Sequence, residues 1–121
     1  MSKTILVVDD SATVRQQVRL ALEHVGFAVE EAEDGQEALT KLGPGIAAVV
    51  CDINMPRMNG VEFVEEVSKT PALAGLPILM LTTEGAPELI KRAKAAGAKG
   101  WMVKPFRADL LTAAMRKLTG A

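Results

Sequence analysis

The stretch VVCDINMPRMNG, residues 49–60, decides how the chain is organised. Its apolar run VVC is typical of a buried strand, and it places a carboxylate, Asp52, where the strand pattern ends. Asn54 follows, then a Met-Pro pair, and Gly60 opens a segment with helical spacing. An unpaired charge at the end of an apolar strand is costly to remove from water. We therefore expect another part of the chain to compensate the charge of Asp52.

Composition indicates a single folded domain, which we expect to span residues 1–121. The 49% hydrophobic and 24% charged residues are close to average globular usage. The net charge of -1 gives no basic excess for nucleic acid, no apolar run is long enough to span a bilayer, and no signal peptide is visible. The single cysteine, Cys51, is expected to fill the core. We expect a monomeric cytoplasmic protein that binds neither nucleic acid nor membrane.

Strand-like and helical segments alternate five times along the chain. The predicted strands cover residues 4–8, 27–32, 46–51, 77–81 and 100–104. The first helix runs from a Ser11 cap to Gly26, and the others cover residues 35–42, 60–69, 87–96 and 108–118. This alternation predicts an α/β fold with right-handed crossovers and a mainly parallel, doubly wound sheet. Alternation alone leaves the strand order open.

Polar side chains gather at the ends of four of these strands. Asp9 and Asp10 follow the first strand, Asp52 the third and Thr82 the fourth, and Lys104 ends the fifth. Each alone has an ordinary explanation as a cap, a turn residue or a solvated lysine. The carboxyl ends of parallel strands, however, meet at one edge of a sheet, where doubly wound proteins bind ligands. The joint pattern therefore favours a site.

The residue types at this edge point to phosphoryl chemistry. Three carboxylates brought together raise one another's pKa unless a cation intervenes. Oxygen ligands favour Mg²⁺, and zinc is disfavoured because His24 lies in a predicted helix and Cys51 in a strand. A metal ion, a lysine and a hydroxyl together position and neutralise a phosphoryl group.

The combined pattern resembles the receiver domain of two-component response regulators, in particular the CheY-like single-domain regulators of chemotaxis. The resemblance covers the whole chain, from VVDDS through DINMPRMNG and LTT to VKPF. It implies a flavodoxin-like (βα)5 fold whose five-stranded parallel sheet has the order 2-1-3-4-5.

The resemblance also implies a catalytic role for three residues. Asp52 would accept a phosphoryl group from a phosphohistidine and become an aspartyl phosphate. Lys104 would pair with Asp52 and later with a phosphoryl oxygen, and Thr82 would donate its hydroxyl to the phosphoryl group. The Lys104–Pro105 peptide bond is expected to be cis. We expect Asp52 to be an exposed carboxylate at the sheet edge.

Mg²⁺ is the cofactor that the resemblance implies. The side chains of Asp10 and Asp52 and the backbone carbonyl of Asn54 would hold the ion, and Asp9 would support it through water. Asn54 and Glu84 match the positions that tune hydrolysis in the family. Their types resemble chemotaxis proteins with short-lived phosphorylation, so we expect a half-life of seconds to minutes.

A conformational switch is expected at Thr82 and Trp101. In receivers, movement of the threonine hydroxyl is coupled to an aromatic residue of the fifth strand, and Trp101 occupies that position. The family usually has Tyr or Phe there, so the larger indole is a departure. We expect Trp101 to report phosphorylation.

The partners implied by the resemblance are a CheA-like histidine kinase and an effector such as a flagellar motor switch protein, with a phosphatase as a further candidate. No output domain follows the fifth helix in the sequence, so output is expected from the surface of the fourth helix, fifth strand and fifth helix. Basic residues there would complement an acidic partner: Lys91, Arg92, Lys94, Lys99, Arg116 and Lys117.

Three other functions were compared with this one. A phosphate sink or phosphorelay intermediate would share the site and lack the motor partner. A phosphohydrolase with an aspartate nucleophile generally needs a second acid two residues later, where this chain has Asn54. In a flavodoxin-type electron carrier, acids at the strand ends would repel a flavin phosphate. We expect self-catalysed phosphorylation and dephosphorylation of Asp52, without turnover of an external metabolite.

Overall fold

The computed structural model describes residues 3–83 and 87–120. Within these ranges lie five strands: β1 (Thr4–Val8), β2 (Ala28–Ala32), β3 (Ile46–Asp52), β4 (Ile78–Thr82) and β5 (Gly100–Val103). They alternate with five helices: α1 (Ala12–His24), α2 (Gly35–Lys41), α3 (Gly60–Ser68), α4 (Pro87–Ala96) and α5 (Ala108–Thr119). A short 3-10 turn, Pro71–Leu73, lies between α3 and β4. No helix in the described ranges is both long enough and apolar enough to cross a membrane.

The strands form one sheet in the order β2-β1-β3-β4-β5, and every neighbouring pair is parallel. This confirms the predicted topology. The middle strand, β3, pairs with β1 so that Val8 lies opposite Cys51. The residues that follow, Asp9 and Asp52, therefore leave the same edge of the sheet side by side. The sequential alternation of strands and helices is what produces this meeting of distant segments.

Alternate residues of each strand face opposite sides of the sheet, and both sides are buried. Ile5 and Val7 of β1 pack in a cluster that contains residues of α1 and α5. Leu6 and Val8 pack in a second cluster with residues of α2, α3 and α4, where Phe63 is fully buried. Because both faces are covered, the central strands read as continuous apolar runs.

Several boundaries differ from the predicted ones by one residue. β3 continues to Asp52, because Asp52 pairs with Leu81 of β4. β4 includes Thr82, which pairs with Val103. β5 then ends at Val103, and Lys104 lies just beyond it, with its backbone N–H donating to the Thr82 carbonyl at 2.7 Å. The acid and the hydroxyl of the predicted site are thus held by the sheet ladder itself, which positions them more firmly than a loop would.

Candidate functional site

Asp52 is the last residue of β3 and is only 5% exposed. The expectation of an exposed carboxylate was wrong. β3 lies between β1 and β4, and the chain turns into α3 close above it, so neighbouring atoms cover the acid. Asp52 is therefore largely shielded from bulk water.

The turn from β3 into α3 packs closely against the backbone of Asp52. Asn59 caps α3 by a reciprocal capping box, accepting from the Glu62 N–H at 2.9 Å while Glu62 accepts from the Asn59 N–H at 3.0 Å. The Gly60 N–H then donates back to the Ile53 carbonyl at 2.8 Å. A Cβ on Gly60 would lie 2.1 Å from the Asp52 carbonyl oxygen, so only glycine permits this approach.

Three acids converge at this edge: Asp9, Asp10 and Asp52. One carboxylate oxygen from each can be chosen so that all three lie within 4.8 Å of one another. Asp9 and Asp52 are buried, and Asp10 is exposed. Clustered carboxylate oxygens, one of them open to solvent, fit a hard divalent cation. The donor set therefore fits the Mg²⁺ that the sequence predicts.

Lys104 supplies the positive charge at the site. Its ammonium Nζ donates to Asp9 Oδ2 at 2.8 Å and lies 3.4 Å from Asp52 Oδ2. The sequence pattern assigned it to Asp52, whereas in the structure the shorter contact is to Asp9. Asp9 also accepts a hydrogen bond from the Ser11 N–H at 2.9 Å. One ammonium thus compensates two buried carboxylates.

The shared ammonium does not fully offset the burial of the acids. Burial raises the pKa of Asp52, and the charge of Asp9 raises it further, while Lys104 opposes both. Burial lowers the pKa of Lys104, but the hydrogen bond to Asp9 and the charge of Asp52 outweigh burial and leave that pKa raised. Lys104 stays protonated, while the ionised form of Asp52 remains destabilised. A further cation at this edge would stabilise it.

The structure also describes the positions of Thr82, Asn54, Trp101 and the Lys104–Pro105 peptide bond. Thr82 is buried, and its hydroxyl donates to the Thr83 carbonyl at 3.0 Å. Asn54 is exposed in the loop after β3. Trp101 is half-buried on β5, opposite Met80. The Lys104–Pro105 peptide bond is cis. Glu84 lies outside the described residues, so its role in tuning hydrolysis stays a prediction.

Comparison with known proteins agrees with this geometry. The family described as response regulator receiver domain matches residues 5–116. The chain belongs to the response regulator receiver domain family. It is 40% identical over 116 residues to the chemotaxis protein CheY-3 of Vibrio cholerae, covering 94% of this chain and 89% of that one. It is 37% identical over 119 residues to the chemotaxis protein CheY1 of Helicobacter pylori, covering 96% of each.

Solved structures also resemble the receiver. The high-resolution structure of the chemotaxis protein CheY4 of Vibrio cholerae, crystallised at low pH, superposes with a TM-score of 0.89 at 42% identity. The match covers 98% of this chain and 99% of that one. A receiver domain protein from Clostridium thermocellum superposes with a TM-score of 0.88 at 29% identity, covering 99% and 95%. The parallel order 2-1-3-4-5 is thus the fold of the family.

The sequence pattern missed a contact that ties two loops of the receiver together. Asp34 is fully buried at the start of α2, where it accepts from the Glu37 N–H at 2.9 Å and is bound by the guanidinium of Arg57. The Gly35 N–H donates to the Met58 carbonyl at 3.1 Å. Asp-Gly before a helix is a cap signal that the sequence offered. Its partner Arg57 lies in the loop before α3 with a left-handed backbone, φ 64°, which is unusual for arginine and which no sequence pattern predicts.

The predicted basic surface is exposed but is not uniform. All six of its residues are exposed. Arg92 pairs with Glu65 of α3 at 3.0 Å, so it is engaged away from β5. Lys94 lies with its ammonium 5.8 Å from the centroid of the Trp101 ring, within the range of a cation–π contact. The basic surface and the predicted switch residue are therefore in contact.

Proposed function

We propose that this receiver is a phosphorylation-controlled signalling protein in which Asp52 accepts a phosphoryl group from a histidine kinase. The observation that carries the proposal is the meeting of Asp9, Asp10, Asp52 and Lys104 at one sheet edge. A carboxylate nucleophile needs to be ionised and aimed, and its charge has to be offset as a phosphoryl group approaches. The β3 ladder aims Asp52, and Lys104 offsets its charge.

In the proposed reaction, a carboxylate oxygen of Asp52 forms a bond to phosphorus while the phosphorus–nitrogen bond of the phosphohistidine breaks. The imidazole leaves with the bonding pair and takes up a proton. Lys104, already 3.4 Å from Asp52, neutralises charge on the transferred group. Thr82 supplies a hydroxyl once it turns from the Thr83 carbonyl. Hydrolysis of the aspartyl phosphate by water returns the acid, so no external metabolite is turned over.

Mg²⁺ is the cofactor that we propose for this site. Asp10 and Asp52 would hold it through carboxylate oxygens, with Asp9 supporting it through water, and the backbone carbonyl of Asn54 is the further ligand that the family implies. When bound, the ion supplies positive charge that offsets the phosphoryl oxygens and the three acids. Asp10 is exposed, which leaves the acidic cluster an entrance from solvent.

Labelling by a small phosphodonor tests the nucleophile. Incubation with acetyl phosphate and Mg²⁺ should add one phosphoryl group to the intact protein, measured by mass spectrometry. Asp52→Asn should abolish the addition, and Asp109→Asn, an exposed acid of α5, should not. Labelling of Asp52→Asn equal to that of the wild type would show that another residue is the acceptor.

We further propose that the pathway is chemotaxis, with a CheA-like kinase and a flagellar motor switch protein as partners in the cytoplasm. The relatives named above carry the name chemotaxis protein, which favours this over a phosphate sink. Beryllofluoride with Mg²⁺ should increase binding to the motor switch protein, measured by titration calorimetry. Equal binding with and without beryllofluoride, in a protein that still accepts phosphoryl groups, would instead favour the sink.

A further inference from the structure

A charged bridge joins α1 and β2 to the acidic edge. The guanidinium of Arg15 donates through Nη1 to the backbone carbonyl of Asp9 at 2.5 Å and through Nε to Glu31 Oε1 at 2.9 Å. Arg19 donates to the other oxygen of Glu31 at 2.7 Å. The Arg15 side chain is 17% exposed. Glu31 of the edge strand β2 thus holds the Arg15 guanidinium, which also binds the backbone carbonyl between Asp9 and Asp10.

The contact fixes a peptide plane. Because the Asp9 carbonyl belongs to the peptide that joins Asp9 to Asp10, holding it sets the direction in which Asp10 leaves the strand. Asp9 has further restraints, since its N–H donates to the Ala32 carbonyl at 3.1 Å and its side chain is bound by Ser11 and Lys104. In the described part of the chain, no hydrogen bond holds the Asp10 carboxylate. The orientation of Asp10 therefore depends on the backbone that precedes it.

We propose that Arg15 is a positioning residue for the metal site, acting through the Asp9 carbonyl on the direction of the Asp10 carboxylate. Glu31 holds Arg15 in place for this task. The inference rests on the proposed function, because it takes the three acids to form the metal site. It adds a residue that lies outside the acid–lysine–threonine set and touches neither the metal ligands' carboxylates nor the phosphoryl group.

Positioning and simple charge predict opposite results. A positive charge beside carboxylates competes with a metal ion, so removal of Arg15 as a charge would tighten Mg²⁺ binding. If Arg15 instead orients the peptide between Asp9 and Asp10, its removal leaves that peptide free to rotate and weakens Mg²⁺ binding. Loss of a group that orients a metal ligand typically lowers metal affinity by roughly 10–100-fold. The sign of the change therefore separates the two roles.

The experiment is a Mg²⁺ titration followed by ¹H–¹⁵N NMR, on the wild type and three variants. Arg15→Met removes charge and brace together. Arg15→Lys keeps the charge but lacks the planar fork that reaches Glu31 and the Asp9 carbonyl at once. Arg19→Met is the matched control, because Arg19 pairs with the same Glu31 and makes no hydrogen bond to Asp9.

We expect Mg²⁺ affinity to fall about tenfold in both Arg15 variants and to change less than about twofold in Arg19→Met. Labelling by acetyl phosphate at saturating Mg²⁺ should be retained in the Arg15 variants, which separates binding from chemistry. Unchanged or tighter Mg²⁺ binding in Arg15→Met would overturn the inference. If Arg15→Met does not fold, Arg15→Lys decides, and unchanged Mg²⁺ binding in that variant would overturn it. A wild type that shows no saturable Mg²⁺ shift would instead overturn the proposed metal site itself.

Discussion

Replacing Gly60 with alanine tests the packing that holds Asp52 at the edge of the sheet. The new Cβ would lie 2.1 Å from the Asp52 carbonyl oxygen and 2.9 Å from Ile53 Cα. Real Cβ atoms essentially never approach closer than 3.0 Å. Both neighbours are backbone atoms of the β3 end, so no side-chain rotation relieves the contact. Either α3 or the end of β3 has to move.

The expected loss of stability follows from two opposing contributions. Overpacking in a rigid environment costs about 1–3 kcal/mol and occasionally more, and contacts with backbone on both sides favour the upper end. Alanine improves helix propensity over glycine by up to about 1 kcal/mol. We expect a net loss of about 2 kcal/mol in the free energy of unfolding, a large fraction of the roughly 5–15 kcal/mol of an ordinary domain.

Gly45→Ala is the matched control. Gly45 has nothing within 4 Å of an added Cβ and no positive φ, so alanine there should be neutral or stabilise by up to about 1 kcal/mol through the unfolded state. Urea denaturation measures both variants, and acetyl phosphate labelling should slow only in Gly60→Ala, because Asp52 shifts with its strand. Equal stability and labelling in the two variants would refute the packing argument.

Three further predictions concern charge and switching. Lys104→Met leaves the carboxylates of Asp9 and Asp52 uncompensated. Because 18% of the Lys104 side chain is exposed, we expect a loss of roughly 3 kcal/mol at pH 7 without divalent ions, the lower end for breaking a buried ion pair. Urea denaturation should show the loss shrinking as the pH falls through the further-raised pKa of Asp52. The Glu37 N–H and the guanidinium of Arg57 lower the pKa of Asp34 below its ordinary 3.8. The wild type should therefore exceed Asp34→Asn in free energy of unfolding by the full amount above pH 3.8, and this difference should disappear in stronger acid. A difference that does not change with pH would contradict this. Beryllofluoride with Mg²⁺ should shift Trp101 emission to the blue if the ring turns inward, with no shift in Asp52→Asn; unchanged wild-type emission would count against the switch.

The sequence was enough to predict that Asp9, Asp52 and Lys104 meet at one edge of the sheet. Alternating apolar and amphipathic segments require parallel strands, and parallel strands bring their carboxyl ends to one edge. Asp9, Asp52 and Lys104 follow from that rule because each stands at the end of a strand pattern. The order of the strands needed the family resemblance, since alternation is compatible with several orders.

Distances and burial within the site could not be predicted in the same way. Pattern reasoning identifies which side chains share an edge, but whether Lys104 lies nearer to Asp9 or to Asp52 depends on side-chain geometry that no spacing encodes. The braces by Arg15 and Arg57 were missed for a related reason. An arginine on a helix or in a loop gives no periodic signal, and its long side chain reaches partners that are distant in sequence.

The burial of Asp52 connects stability to function. Removing the carboxylate of Asp52 from water costs free energy. Lys104 compensates only part of that cost, because it is shared with a second buried acid, Asp9. The ionised form of Asp52 is therefore only partly compensated by the fold, and its pKa is raised by burial and by the charge of Asp9. Any ligand that brings positive charge to this edge gains the free energy that folding left uncompensated. The same uncompensated charge that makes the end of β3 a poor structural choice makes the binding of a cation there favourable.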